Sequence, residues 1–208
     1  MKTLVEVGCA TYQVAHPAAA DALIDEEDFA RDERIPYWAE LWPSAVALAR
    51  RVSKENLAGG RVVEIGCGVG LPSVVALARG ARVTATDHYQ PALDFVRYNA
   101  RANLVDGLEP RTHLLDWHAP ETEGLEETFG LVLAADVLYE SRNVPALAAL
   151  IPTLLASSGE VLLADPRRKN APTFLEEMRN KGFRSATEEY VGVSPQEVAV
   201  LVHRLRRR

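Results

Sequence analysis

Val62-Val63-Glu64-Ile65-Gly66-Cys67-Gly68-Val69-Gly70-Leu71-Pro72 is the stretch on which the fold turns. A short β-branched run carries an acid near its end and enters a loop with glycine at every second position. A helix-like stretch follows, from Ser73 to Ala78. Glycines at such a point let the backbone turn sharply and let a ligand lie against it with no Cβ in the way. The spacing is Gly-x-Gly-x-Gly, whereas a dinucleotide-binding helix opens on Gly-x-Gly-x-x-Gly. Seventeen residues past Gly70 the next apolar strand, Ala81 to Thr86, ends at Asp87. That is where such units keep an acid for a ribose. Loop and acid together imply a nucleoside-type cofactor, with S-adenosylmethionine favoured over NAD.

Outward from this stretch, strands and helices alternate. The first strand, Arg61 to Ile65, leads to a helix over Pro72 to Arg79. A strand at Arg82 to Thr86 is followed by a helix from Gln90 to Asn103. Further strands are expected near Arg111 to Leu115, at Leu131 to Ala135 and at Glu160 to Ala164. Helices at Val144 to Ala156 and Ala171 to Lys181 separate the later ones. The chain closes on an antiparallel pair, Phe183 to Tyr190 with Glu197 to Leu205. This alternation predicts an α/β fold, a Rossmann-like seven-stranded, mostly parallel sheet with helices on both faces and an antiparallel C-terminal hairpin. Residues 1–42 read as an N-terminal strand and cap segment packed on that core, and residues 43–208 as the main domain. Thr3 to Val14 supplies one or two strands, and Pro43 opens a helix over Ala45 to Val52 that Gly59-Gly60 ends.

Composition narrows the function classes. A chain of 208 residues with 48% hydrophobic content fits one soluble domain with a real core. Its net charge of −6 argues against a general nucleic-acid binder. Arg204, Arg206, Arg207 and Arg208 form a basic end, expected to be a solvated tail after the last strand. No apolar run has the length of a membrane span, and two cysteines, Cys9 and Cys67, are too few for a disulfide framework. The expected location is the cytoplasm. His16, His113, His118 and His203 are scattered without metal-ligand spacing, so no metal is expected. The acidic run Asp25-Glu26-Glu27-Asp28 reads as a solvated face or as an attractor for a basic segment of a protein substrate. Oligomeric state leaves no signature.

Three further segments carry a family resemblance. They are Pro36-Tyr37-Trp38-Ala39-Glu40-Leu41-Trp42-Pro43-Ser44-Ala45, then Leu115-Asp116-Trp117, then Ala135-Asp136-Val137-Leu138-Tyr139. With the glycine loop, they resemble the class I, seven-β-strand S-adenosylmethionine-dependent methyltransferases over about Ile35 to the C-terminus. The likeness is to the branch of non-histone protein-lysine methyltransferases that act on chaperones, valosin-containing protein and the electron-transfer flavoprotein β-subunit. Asp165-Pro166-Arg167 is similar to the flavoprotein-directed members. The resemblance implies S-adenosylmethionine as cofactor, S-adenosylhomocysteine as product, and a lysine of another protein as acceptor. A small-molecule N-methyltransferase would share every cofactor motif. An NAD(P)-dependent reductase and a non-catalytic cofactor-binding module stand further off.

Glu64, Asp87, Asp116 and Asp136 all fall at or just past strand ends, so an open sheet gathers them on one rim, where ligands bind. The backbone around Gly66, Gly68 and Gly70 is expected to approach the methionine portion, with Glu64 at its amino end. Asp87 offers two acceptor oxygens to the two ribose hydroxyls. Trp117 is expected to face the adenine and Asp116 its exocyclic amine. Cys67 and Ala135 are grouped with the cofactor-lining residues, and His88 sits either beside the adenosine or on an exposed loop. By the family resemblance Trp42 closes the pocket, its ring facing the sulfonium. Asp136 and Tyr139 are the expected catalytic pair, orienting an incoming amine. A carboxylate is a poor general base for an amine titrating near about 10. The competing readings are an N-cap for Asp136 and plain packing for Tyr139.

Overall fold

A computed structural model of the protein describes residues 1–18, 36–105, 107–122, 124–125 and 128–208. The Asp25–Asp28 run lies outside them. An N-terminal hairpin pairs β1 (Lys2–Val7) with β2 (Ala10–Ala15). A 3-10 turn at Tyr37–Ala39 precedes α1 (Pro43–Val52), which begins on Pro43, where proline's missing N–H is no loss. Then follow β3 (Arg61–Ile65), α2 (Leu71–Ala78), β4 (Arg82–Asp87), α3 (Gln90–Asn103), β5 (Arg111–Leu114) and β6 (Phe129–Ala135). The chain ends with α4 (Asn143–Leu154), β7 (Leu155–Asp165), α5 (Ala171–Asn180), β8 (Phe183–Val193) and β9 (Val198–Arg207).

The last seven strands form one sheet in the order β5-β4-β3-β6-β7-β9-β8. Pairing is parallel from β5 to β7 and antiparallel at β7/β9 and β9/β8, as the alternating pattern predicts. Alternate residues of each central strand feed different cores, because successive side chains point to opposite faces. Val62, Leu131, Leu133 and Leu162 pack with Leu48, Leu71 and Val75 on one face. Val63, Ile65, Val132, Val161 and Leu163 pack with Leu147, Ile151, Phe174 and Met178 on the other. Strand order reverses between β3 and β6, whose register pairs Ile65 with Ala134. Such a switch point opens a crevice at the carboxyl ends of the strands.

The buried Asn99 of α3 ties the N-terminal hairpin to this crevice. Its Oδ1 accepts the Ala15 N–H at 2.8 Å, and its Nδ2 donates to the carbonyls of Ala15 (2.9 Å) and Val69 (2.8 Å). One expectation is corrected. The basic end is not a tail, since β9 runs to Arg207. Arg204 pairs with Glu55 and Glu160, Arg206 bonds Glu160, and Arg207 lies over the Phe183 ring. Arg204 and Arg206 alternate with the buried His203 and Leu205, a strand pattern whose arginine face is wet toward the end. Among the described residues no helix is long and apolar enough to cross a membrane, and no group of three or more candidate metal ligands is found.

Candidate active site

The crevice at the β3/β6 switch point is a cleft of about 350 Å³, and the glycine loop forms one wall. Gly66, Gly68 and Gly70 all have left-handed φ, at 65°, 50° and 81°. A Cβ on Gly66 would stand 2.8 Å from Trp117 Cζ2, and one on Gly68 would stand 3.1 Å from the Trp38 carbonyl oxygen. The glycines therefore admit other parts of the chain as well as bare backbone to the cleft. Gly70 departs from expectation. It is not on the cleft wall but caps α2, where a Cβ would meet Val96 Cγ2 of α3 at 2.1 Å. Its smallness serves helix packing.

Two buried acids stand behind this loop. Glu64, at the end of β3, accepts the Ser73 hydroxyl of α2 at 2.5 Å, and burial pushes its pKa up to about 8. Asp87, ending β4, accepts the Gly68 N–H on Oδ2 at 2.9 Å and the Tyr89 N–H on Oδ1 at 3.1 Å. Burial pushes it up to about 6. The His88 N–H also hydrogen-bonds this carboxylate, so the backbone holds it through three donors and about one acceptor site remains. The neighbouring Cys67 thiol is also pushed up by burial and packs with Ala85, Leu93 and Val96. Buried carboxylates held by neutral donors suit a ligand that brings an ammonium and paired hydroxyls. That is the donor set of an aminoacyl nucleoside, and the residues fit it.

The adenine side expected from the sequence lies past β5. Asp116 Oδ1 accepts the His118 N–H at 2.9 Å, and Oδ2 lies 3.6 Å from His88 Nδ1. Trp117 turns its ring toward Gly66, and its buried Nε1 has no hydrogen-bond partner among the described residues. Across the cleft mouth, Trp42 donates from Nε1 to the Tyr37 carbonyl at 2.8 Å and meets the Tyr37 ring edge-on.

The opposite wall is the turn after β6. Asp136 is buried, with φ 56°, a conformation that costs a non-glycine residue of the order of 1 kcal/mol and that collects at functional sites. The turn is held from three sides. Asp136 N–H donates to the Ala164 carbonyl (2.9 Å), Asn143 Nδ2 to the Val137 carbonyl (3.0 Å), and Asn170 Nδ2 to the Leu138 carbonyl (2.8 Å). The next helix, α4, starts only at Asn143, with Arg142 as its N-cap, so Asp136 is no helix cap. Its carboxylate instead receives a two-pronged arginine, with Arg168 Nε 2.8 Å from Oδ1 and Nη2 3.1 Å from Oδ2. Tyr139 sits between the rings of Tyr37 (centroids 5.2 Å apart) and Trp117 (6.5 Å). Burial, then the charge of Glu140, push its phenol up to about 12, while a bond with Asn143 acts in the opposite sense.

The cleft brings together Trp42, Glu64, Gly66, Cys67, Gly68, Asp87, His88, Asp116, Trp117, Ala135, Asp136 and Tyr139. It also brings in Tyr37, Trp38, Tyr89 and Arg168, which the sequence reading did not assign a place. Tyr37 and Trp38 belong to the quoted Trp-containing segment and were within reach. Arg168 follows a β-strand end, as the four acids do, and that position was its signal.

Comparison with known proteins adds the following. The profile of a lysine methyltransferase family matches residues 29–181. The zebrafish protein N-lysine methyltransferase METTL21A is 32% identical over 154 residues, covering 72% of this chain and 70% of that protein. Mouse EEF1A lysine methyltransferase 3 is 27% identical over 179 residues, 84% of this chain and 75% of that protein. Among solved structures, a Synechocystis magnesium protoporphyrin IX methyltransferase with bound SAM superposes with a TM-score of 0.63 at 20% identity. It covers 86% of this chain and 83% of that one, a likeness of fold.

Proposed function

The chain belongs to the lysine methyltransferase family, and from that premise we infer that it transfers a methyl group from S-adenosylmethionine to the side-chain nitrogen of a lysine in another protein. The observation that carries this reading is a single cleft lined on one wall by the glycine loop with Glu64 and Asp87, and on the other by Asp136 and Tyr139. A nicotinamide reductase is set aside by the family membership.

The cofactor supplies a sulfonium-activated methyl group, so the protein's tasks are to orient the reactants and keep out water. Gly66 and Gly68 present backbone to the cofactor's amino-acid end, and Glu64 stands near its ammonium. Asp87 is the acceptor for the ribose hydroxyls. Trp117 packs on the adenine, with Asp116 at its amine. Trp42 and Tyr37 close the mouth, and their ring faces suit passing cationic groups. Asp136 and Tyr139 hold the acceptor amine by hydrogen bonds, lone pair toward the methyl. The N-terminal hairpin is braced on the core through Asn99. A cytoplasmic location is part of the proposal, supported by two free cysteines.

The test is incubation with methyl-labelled S-adenosylmethionine and a cell lysate, then hydrolysis of the labelled bands. Label in methyllysine is expected. Label in methylhistidine, or in small molecules only, would overturn the acceptor assignment. Calorimetry should show S-adenosylmethionine and S-adenosylhomocysteine binding and NADH not binding.

A further inference from the structure

The amine problem makes the Arg168–Asp136 pair informative. A lysine that reaches the cleft arrives as an ammonium, and an ammonium has no lone pair with which to attack. A solitary buried carboxylate would worsen this. An opposite charge within about 4–6 Å favours the charged form by about 1–3 pK units. Asp136 is buried on the cleft wall, so alone it would hold the substrate in its unreactive state. It is not alone. Both its oxygens are taken in a fork by Arg168, at 2.8 and 3.1 Å.

We propose that Arg168 is a positioning residue for methyl transfer: its guanidinium fixes the Asp136 carboxylate at the cleft wall and cancels its charge, so that the acceptor amine meets a hydrogen-bond acceptor without a net anion. A carboxylate offers about four acceptor sites, so two remain for the amine. Arginine suits the role because it stays charged at every working pH and its planar fork matches the carboxylate. The sequence of events balances simply. The ammonium proton leaves to water, the freed lone pair forms the N–C bond, the C–S bonding pair departs with the donor sulfur, and the proton then surplus on nitrogen leaves to water.

The other charges around the pair do not replace Arg168. Behind it, Asp165 at the end of β7 accepts the Arg168 backbone N–H at 2.7 Å and is not on the cleft wall. Burial, together with the nearby Asp136, pushes Asp165 up to about 6; above that pH it is an anion behind Arg168, off the cleft wall, and supplies no positive charge that could replace the guanidinium. Arg167 is engaged with Glu189 at 2.6 Å, and Arg142, in the turn after β6, pairs with Glu140. From the 3-10 segment come Tyr37 and Glu40, and from the same turn Tyr139, none of them cationic. Asp87 and Glu64 stand across the cleft on the cofactor side.

This inference rests on the lysine reading, and the test separates the two. The probe is n-butylamine, a truncated lysine side chain, carrying 13C next to nitrogen and added to full-length protein saturated with S-adenosylhomocysteine. Its bound 13C shift is followed with pH. In Arg168→Gln the bound amine should lose its proton about one pH unit higher than in wild type, leaving about ten-fold less neutral amine at a given pH. Arg168→Lys should fall between them. In parallel, the acid limb of the pH–rate profile for the lysine-labelled lysate protein should move up equally, with the high-pH plateau within a few-fold of wild type. Cofactor affinity should be unchanged, which reports that the variant is folded. Equal bound-amine titrations in wild type and Arg168→Gln, a rate loss that is the same at every pH, or no butylamine shift in wild type would each overturn it. Failure of the lysine reading shows elsewhere, as no methyllysine with wild type, and the butylamine titration still decides Arg168.

Discussion

The two walls of the cleft use the same kind of residue, a buried carboxylate at the carboxyl end of a parallel strand, and satisfy it in different ways. On the cofactor wall, Glu64 and Asp87 are held by a hydroxyl and by backbone N–H groups. Burial is the largest influence on both, and both are pushed toward the protonated form. On the acceptor wall, Asp136 is met by a full guanidinium from the neighbouring strand end. The difference fits what each wall must do. In the proposed roles, the first receives a ligand that carries its own positive charge, and the second must not stabilise positive charge on the group it receives.

The comparison breaks most visibly at Asp136. In Asp136→Ala, cofactor affinity should stay within a few-fold while single-turnover transfer falls by at least ~10²-fold, the scale of a lost positioning group. Removing the carboxylate also leaves the Arg168 guanidinium without its paired partner where the amine must enter. Near-wild-type transfer at saturating cofactor would mean that the acceptor wall needs no carboxylate. Asp87→Ala is the counterpart on the other wall. It should weaken cofactor binding by about 1–3 kcal/mol, the cost of unpaired buried polar groups, with the Gly68 and Tyr89 N–H groups left without acceptors. Calorimetry giving wild-type affinity would remove Asp87 from the ribose.

The cofactor wall was the more legible of the two in the sequence, for a physical reason. Its signals are local: strand, acid and glycine turn lie within residues 62–72, and Asp87 ends the next strand. The Asp-x-x-Tyr turn was legible in the same way. Arg168 was legible only as a residue past a strand end; its pairing was not, because Asp136 lies 32 residues away and the two meet through sheet register, Ala135 beside Ala164, rather than through spacing along the chain. Gly70 looked like its two neighbours in the loop, and only its approach to Val96 on a separate helix distinguishes it. The arginine end looked like a tail because net charge was read before its period of two.

A smaller effect sharpens the contrast in the ligand-free protein. Glu64 is ordinarily ionised above about 4.5, yet folding holds its proton to about 8. Across that window the folded state binds more protons than the unfolded chain, so stability is highest at low pH and is lost as pH rises toward 8. Asp87 acts in the same direction but is finished by about 6. From pH 6.5 to 8, then, the loss belongs mainly to Glu64 and should be of the order of 1–2 kcal/mol, at about 1.4 kcal/mol per unit. Urea midpoints at the two pH values measure it, and Glu64→Gln should flatten the slope. An unchanged slope in that variant would mean Glu64 is already ionised in the fold.

Tyr139→Phe should have the smallest effect, and its size tells whether the hydroxyl or the ring matters on the acceptor wall. The tilted ring contacts with Tyr37 and Trp117 survive the change, since phenylalanine keeps the ring. What is lost is the bond with Asn143 and whatever the hydroxyl gives the amine. A neutral hydrogen bond contributes about 0.5–1.5 kcal/mol, so transfer should fall by no more than about ten-fold. The phenol, held up to about 12, stays neutral across the working range and can donate but not act as base. The rate loss should therefore be the same from pH 7 to 9, unlike the pH-dependent loss expected for Arg168→Gln. A loss in Tyr139→Phe as large as in Asp136→Ala would make the hydroxyl, and not the carboxylate, the main support of the acceptor amine.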